Sequence, residues 1–448
     1  MSVAATTLGC KVNQAETDSM LDMLKAAGAN IVEFDEKADI YIVNTCSVTN
    51  IADKKSRQML HRARKMNPDG IVIAAGCYVQ SAREILEQDE AIDIVISNNK
   101  KKSITEIVND YINVRNNEKN APGKDHEAME YFVDISRETE YEEMGGHVPV
   151  GHTRAYVKIQ DGCNQFCSYC IIPYVRGRIR SRSQEAILAE VSELAEAGIK
   201  EVVLTGIHIS SYGKDKNNEG ALIELIEAIS KIKGIKRIRL GSLEPGIITE
   251  EFVERISSNS KVCPHFHLSL QSGCDSVLKR MNRKYTCEQY FEKCDMLRKA
   301  YKSPALTTDV IVGFPGETEE EFAETVRYLT ELNLYEMHIF KYSPRKGTVA
   351  AAMKEQVAPE IKNERSDVLL KLAHDNKTAY EAQFEGCELE VLVEEVVKKD
   401  NKTYLRGHTE RYMDILIDVG DISMPESFVN SFVYVTYTQN GGNLPLLL

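Results

Sequence analysis

Apolar and polar positions follow three successive rhythms along the 448 residues of the chain. Over residues 1–110, short apolar runs (Val3–Leu8, Asp39–Val43 and Ile71–Ala75) alternate with amphipathic stretches at 14–27 and 50–66. Apolar runs of that length predict buried strands, and the 3.6-residue rhythm predicts helices. Their alternation predicts a parallel sheet with crossover helices. Residues 112–150 lose the rhythm. They are polar, contain APGK and GGHVPVG, and read as a linker with one short strand near Tyr131–Ile135. From about 151 to 375, strand and helix alternate six times. The strands are Ala155–Gln160, Glu201–Thr205, Arg237–Gly241, His265–Leu270, Ala305–Val312 and Leu334–Tyr342, with helical patterns at 183–197, 220–232 and 317–331. Six βα units predict an incomplete TIM-like barrel, since the full form has eight. The tail is β-rich over Glu388–Val397, Thr403–Gly407, Asp414–Val419 and Phe428–Thr438, which predicts a small all-β barrel or sandwich. The fold class is therefore α/β, in the order parallel α/β domain (1–111), linker (112–148), partial (β/α)6 barrel (149–376) and all-β domain (377–441).

No apolar run approaches the ~18 residues needed to span a bilayer. The N-terminus has neither a basic region nor a long apolar one, so no secretory signal is read there. The expectation is a cytoplasmic protein without a membrane partner. Thiols stay reduced in that compartment, so eleven cysteines point to metal ligands or catalytic groups rather than disulfides. The net charge of −13 disfavours nucleic acid at face value. It is unevenly spread, however: residues 125–144 hold eight acids and one arginine. An acidic total leaves room for a basic face.

The densest chemistry is Asp161-Gly-Cys163-Asn-Gln-Phe-Cys167-Ser-Tyr-Cys170, a CxxxCxxC set directly after the first barrel strand. That puts it in the first βα loop, at the C-terminal face where barrel active sites form, with Gly162 allowing a sharp turn. Three thiols holding a cubane leave one iron open to a substrate. A zinc knuckle or incidental core cysteines are the alternatives; zinc would need a fourth ligand, and His152 is the only close upstream histidine. Cys10, Cys46 and Cys77 look isolated, but each follows a predicted strand (ATTLGC, YIVNTC, VIAAGC). In a parallel sheet such loops share one edge, so three thiols can converge there. Three buried cysteines at strand ends is the alternative.

The CxxxCxxC spacing resembles the radical S-adenosylmethionine (SAM) superfamily. The resemblance implies that the open iron chelates the methionyl amino and carboxylate groups, and that one electron splits the sulfonium into methionine and a 5′-deoxyadenosyl radical. It further implies cofactor contacts at Gly206 after the second strand, Ser242 and Glu244 after the third, Gln271 after the fourth, and Asp309 and Gly313 along the fifth. Two thiol triplets, one before and one inside such a barrel, together with a β-type tail, resemble the methylthiotransferase family over nearly the whole chain. Members of that family insert sulfur and a methyl group into an unactivated C–H bond. By this resemblance Cys163, Cys167 and Cys170 ligate a radical-generating 4Fe–4S cluster, and Cys10, Cys46 and Cys77 ligate an auxiliary 4Fe–4S cluster that presents sulfur. The tail becomes a TRAM domain. An electron donor such as flavodoxin or ferredoxin and a sulfur source are implied, with no stable protein partner. The wording Gly9–Asn13, Gln160–Arg182 and Ser269–Tyr285 resembles the branch acting on threonylcarbamoyladenosine beside the tRNA anticodon. Sister branches use isopentenyladenosine in tRNA or an aspartate of a ribosomal protein. A zinc-stabilised RNA-binding protein is the non-enzymatic alternative.

Three basic groups are candidates for RNA. Arg176, Arg178, Arg180 and Arg182 alternate, so in an extended segment they would share a face suited to phosphates. Lys54, Lys55, Arg57, Arg62, Arg64 and Lys65 fall on one predicted helix, where a charge run is as readily a solvated face. Lys398, Lys399, Lys402, Arg406 and Arg411 lie in the tail, which carries six basic against twelve acidic residues over 377–448. Cys263, Cys274, Cys287, Cys294 and Cys387 are read as structural, and His265 and His267 as one buried and one exposed.

Overall fold

A computed structural model describes residues 1–118, 129–145, 153–400, 402–420, 424–439 and 441–443. The APGK stretch, most of GGHVPVG and His152 lie outside the described residues.

The N-terminal domain is a parallel sheet of β1 (Ser2–Thr7), β2 (Asn30–Val32), β3 (Ile40–Thr45), β4 (Ile71–Gly76), β5 (Ile94–Ile96) and β6 (Met129–Tyr131), in the order β2-β1-β3-β4-β5-β6. Its helices are α1 (Lys11–Ala26), α2 (Asn50–Met66), α3 (Cys77–Ser81), α4 (Arg83–Glu87) and α5 (Ile104–Glu118). β3 and β4 are buried along their whole length, because apolar layers cover both faces of the sheet. Met20, Leu24, Ile104 and Val108 pack one face; Leu60, Ala63 and Leu86 pack the other. The three expected strands are present. β2 and β5 are three-residue strands, too short to register as a pattern. The strand expected near Tyr131–Ile135 lies earlier, as β6 (Met129–Tyr131), which overlaps that expectation at Tyr131 alone; it pairs with β5, so the sheet continues past residue 111.

The barrel strands are β7 (Arg154–Asp161), β9 (Glu201–Gly206), β10 (Arg237–Leu240), β11 (His265–His267), β12 (Ala305–Val312) and β13 (Glu336–Lys341). A two-residue strand, β8 (Arg180–Ser181), runs antiparallel on the outer edge of β7. Parallel pairing joins β7, β9 and β10, and joins β11, β12 and β13; isolated parallel bridges link β10 to β11. The helices are α6 (Ile172–Val175), α7 (Gln184–Glu196), α8 (Ala221–Ser230), α9 (Glu250–Ser257), α10 (Asp275–Arg280), α11 (Cys287–Ala300) and α12 (Glu319–Leu332). α7, α9, α11 and α12 each start on a Ser or Thr whose side chain accepts the N-terminal N–H bond. Along β7 the residues Ala155, Val157 and Ile159 pack outward against helices. Arg154, Tyr156, Lys158 and Gln160 therefore face the barrel interior. The same alternation turns Glu201, Arg237, Arg239, His265, His267, Asp309 and His338 inward.

Helix α13 (Pro359–Ala382) is continuous through the expected domain boundary at 376. It contains no glycine, and its one proline is the first residue, where the missing N–H costs nothing. Tyr380 and Phe384 carry its end into the core of the tail. There, β14 (Glu388–Lys399), β15 (Lys402–Thr409), β16 (Asp414–Asp418), β17 (Phe432–Thr438) and β18 (Gly441–Asn443) close into a barrel. The turn between β15 and β16 plugs the N-terminal end of the large barrel. Arg237 donates to the carbonyls of His408 and Glu390, and Arg239 to those of Thr409 and Glu410. Tyr412, at φ 66°, lies over His408 (ring centres 4.5 Å apart) and beside Arg154, Arg239 and His265.

Candidate active site and thiol cradles

The loop after β7 is folded by its own backbone. Gly162 has φ 72°, and a Cβ there would lie 1.8 Å from the Arg178 carbonyl oxygen, so only glycine fits. The Cys163 N–H donates to the Gly177 carbonyl and the Cys170 N–H to that of Cys167. Asn282 donates to the Phe166 carbonyl and Ser168 to that of Arg280, which ties the loop to α10. Two N–H groups approach the sulfurs: the Gln165 backbone at 3.4 Å from Cys163 Sγ, and Arg283 Nη1 at 3.2 Å from Cys167 Sγ. Burial pushes the Cys163 thiol up to about 11 and Cys170 to about 12. Taking up a metal centre would therefore release protons.

The second triplet is assembled by the sheet. Cys10 caps α1, Cys46 follows β3, and Cys77 begins α3. Two glycines make the convergence possible. A Cβ on Gly9 (φ 104°) would lie 2.8 Å from the Cβ and Sγ of Cys46, and one on Gly76 (φ 97°) would lie 2.5 Å from Asn44 Oδ1 and the Thr45 carbonyl oxygen. Burial pushes the Cys10 thiol up, partly offset by the Arg176 cation beside it.

The two triplets meet across α6. Cys77 packs on Ile171 and Val175, directly after Cys170. Asn98 donates to the Val175 carbonyl. Fully buried Arg176 donates from Nε to Cys77 Sγ (3.2 Å) and from Nη2 to Asn13 Oδ1 (2.6 Å). It also pairs with Glu16 and, at 3.1 Å, with Asp161. Lys101 and Lys158 pair with the same Glu16. Burial alone would raise Glu16 and Asp161, but the cations override it and hold both well below the usual carboxylate range. Among the described residues, only His267, Asp309 and His338 bring three single-ion ligand atoms within 4.8 Å of one another. At least one pair of sulfurs in each triplet is wider than that. Soft thiolate donors at a spacing too wide for one ion, with N–H groups aimed at sulfur, suit an iron–sulfur cluster better than zinc.

At the C-terminal rim, Glu244 accepts from Gln165 (2.5 Å) and His208 (2.8 Å), with Arg283 at 3.4 Å. Gly206 packs on the Gln160 carbonyl, Ser242 is exposed, Gln271 has φ 77°, and Gly313 (φ 69°) donates to Glu317. Asp309 lies deeper: its carboxylate is 3.3 Å from His267 Nε2, on the inner wall of the barrel. His208 and Arg283 belong to this site and were not anticipated. Arg283 did lie inside the quoted run Ser269–Tyr285; His208, as a lone histidine after a strand, gave no signal.

The arginine stripe is a correction. Arg176, Arg180 and Arg182 are buried, and only Arg178 is exposed. The segment is a turn and a two-residue strand rather than an extended ribbon, so the four do not share a face. Arg182 pairs with Glu143 and Glu190, and Arg180 donates to backbone carbonyls. Of the other basic groups, Arg62 and Arg64 meet Asp35 and Asp93, Arg406 meets Asp414, and Arg411 is tied to the Lys302 and Ser303 carbonyls. Lys54, Lys55, Lys398 and Lys399 are exposed.

The Radical SAM superfamily model matches residues 157–329, and that described as "Uncharacterized protein family UPF0004" matches residues 2–97. A threonylcarbamoyladenosine tRNA methylthiotransferase MtaB from Bacillus subtilis is 40% identical, covering 93% of this chain and 90% of that protein. The chain belongs to the radical SAM tRNA methylthiotransferases. Its other relatives include an MtaB from Aquifex aeolicus (38% identical, covering 93% of this chain and 98% of that protein). A tRNA-2-methylthio-N(6)-dimethylallyladenosine synthase from Thermoanaerobacter pseudethanolicus is 36% identical, covering 97% and 90%. In fold, the methylthiotransferase resembles the radical SAM methyltransferase TsrM from Kitasatospora setae (TM-score 0.56, 16% identical, covering 76% of this chain and 72% of that one). As a radical SAM transferase it uses a 4Fe–4S cluster and SAM, and the loop Cys163–Cys170 has the donors to hold that cluster. No helix among the described residues is long and apolar enough to cross a membrane.

Proposed function

We propose that the enzyme inserts sulfur and a methyl group at C2 of N6-threonylcarbamoyladenosine at tRNA position 37, using two 4Fe–4S clusters. The observation that carries this reading is the polarity of the barrel interior, a chamber whose walls carry the inward-facing Arg154, Tyr156, Arg239, His267, Asp309 and His338. A dimethylallyl substituent is hydrocarbon and offers these polar groups nothing to bond to. A threonylcarbamoyl group offers a carboxylate, a hydroxyl and ureido atoms to pair with them. The relatives named for threonylcarbamoyladenosine lend support at up to 40% identity.

In this reading Cys163, Cys167 and Cys170 hold the radical cluster, and Cys10, Cys46 and Cys77 hold the auxiliary one. When bound, the radical cluster and SAM supply a radical able to take hydrogen from an aromatic C–H bond, which no side chain could deprotonate near neutral pH. The protein's part is positional. Arg283 and the Gln165 N–H orient two sulfurs of the first set, and Arg176 orients Cys77 in the second. Gly206, Ser242, Glu244, Gln271 and Gly313 bind SAM at the rim, with Asp309 beneath it. Arg178, Lys398 and Lys399 are exposed cations suited to phosphates. A flavodoxin- or ferredoxin-type donor supplies electrons, and a separate source supplies sulfur.

The test is mass spectrometry of tRNA nucleosides from cells lacking this protein. The 2-methylthio form of N6-threonylcarbamoyladenosine should vanish while its unthiolated precursor accumulates. Loss of the dimethylallyl counterpart instead would overturn the substrate assignment.

A further inference from the structure

Around the chamber the fixed charges are matched, with one exception. Arg154 meets Glu394 at 3.0 Å, Arg239 meets Glu201 at 2.7 Å, Arg237 meets Glu390 at 2.9 Å, and His267 faces Asp309 at 3.3 Å. Lys11 has neither an acid nor a hydrogen-bond acceptor among the described residues. Its ammonium stands 5.9 Å from the Tyr156 ring centre and 5.8 Å from that of Tyr412. It is exposed and lines a cavity of about 420 Å³ together with Cys10, Arg154, Tyr156 and the acids Asp18, Glu142 and Glu143. The guanidinium groups of Arg154 and Arg239 lie 5.0 and 4.8 Å from the centre of the same Tyr412 ring, and Glu201 is already engaged by Arg239. An ordinary surface lysine stands in bulk water away from other cations. This one shares the Tyr412 ring with two arginines that already have their acids, and its exposed ammonium faces the cavity with no carboxylate in contact, which leaves it open to an anionic ligand. Lys11 is also the first residue of α1, next in the chain to Cys10. A group bound by Lys11 would lie beside the N-terminal thiol set.

We propose that Lys11 is the counter-ion for a carboxylate on the substituent of the target base, and so determines which modified adenosine is accepted. The inference rests on the threonylcarbamoyladenosine reading above and names the residue that recognises its acid. An apolar substituent would close the chamber over Lys11 and strand the charge. That would exclude the dimethylallyl nucleoside by desolvation as well as by lost contact.

Two anticodon stem-loop RNAs test it, one carrying N6-threonylcarbamoyladenosine and one its carboxamide counterpart. The cluster-loaded wild-type enzyme should show a KM about 10- to 100-fold lower for the acid, the range of a charge-assisted hydrogen bond. In Lys11→Met that ratio should fall toward one, and Lys11→Arg should restore most of it. Iron content is measured in each variant because Cys10 is adjacent. If Lys11→Met loses iron, the wild-type ratio alone decides: equal KM values for acid and amide overturn the proposal. If the wild type acts on neither RNA but on a dimethylallyl one, the parent reading has failed. If it acts on acid and amide equally, only the Lys11 assignment has failed.

Discussion

Cys163, Cys167 and Cys170 share one eight-residue loop, whereas Cys10, Cys46 and Cys77 come from the ends of three neighbouring strands, β1, β3 and β4, far apart in sequence. The first set needs only the local backbone, one glycine turn and an anchor to α10. The second needs β1, β3 and β4 in register, with two glycines packed tightly enough that no Cβ fits. The difference teaches where damage spreads. A fault in the loop disables one site, while a fault in the sheet reaches the fold.

The largest effects test that division directly. Replacing Cys163, Cys167 and Cys170 by Ala should abolish 5′-deoxyadenosine formation under reducing, anaerobic conditions, as read by chromatography. Replacing Cys10, Cys46 and Cys77 should preserve formation of the same product, lower iron from about eight per chain to about four, and stop methylthiolation of RNA. Product from the second variant would end the auxiliary-cluster assignment.

Next come the glycines. Gly162→Ala should cost the loop its iron without unfolding the N-terminal sheet, as followed by iron analysis and circular dichroism. Gly76→Ala, with its added Cβ 2.5 Å from two oxygens, should cost iron and also destabilise the domain. If both variants lose iron alone, the two cradles are built more alike than described.

Smaller again is the contrast within the arginine run. Arg176→Met removes one of the two cations, with Lys158, that Glu16 and Asp161 share, and breaking such a buried network costs about 3–5 kcal/mol. Arg178→Ala should leave chemical denaturation unchanged and weaken RNA binding, with a shallower salt dependence. An Arg176 variant as stable as wild type would mean that the buried network contributes little.

The smallest effect is in pH. Glu16 and Asp161 are held below their unfolded values, so their contribution is complete above about pH 4.5. It is lost as pH falls from there toward the depressed folded values. Denaturation midpoints should drop between pH 4.5 and 3 in wild type, and less steeply in Arg176→Met.

Much of this architecture was legible in the sequence. β12 spans the expected Ala305–Val312, and α2 begins and ends where its rhythm did, because long periodic segments carry a strong signal. The first thiol set was readable from spacing. The second was readable only through topology, and Gly9 and Gly76 gave no hint of how tightly they pack. The arginine run misled because alternation implies a shared face only in a strand, and here the backbone turns. Burial of Arg176 depends on Glu16, Lys101 and Asp161, which are remote in sequence. His208 and Lys11 carry no site signal in the sequence for the same reason. Each acquires its meaning from partners that only the fold supplies.

The Tyr412 turn makes the tail something other than an appendage for gripping RNA. Two of its acids, Glu390 and Glu394, match arginines of the chamber, and its tyrosine ring stands against Lys11. Whoever exchanged this tail between relatives would be replacing the bottom of a reaction vessel. The hybrid would inherit part of its appetite for one nucleoside over another from a module whose sequence carries none of the cysteines that do the chemistry.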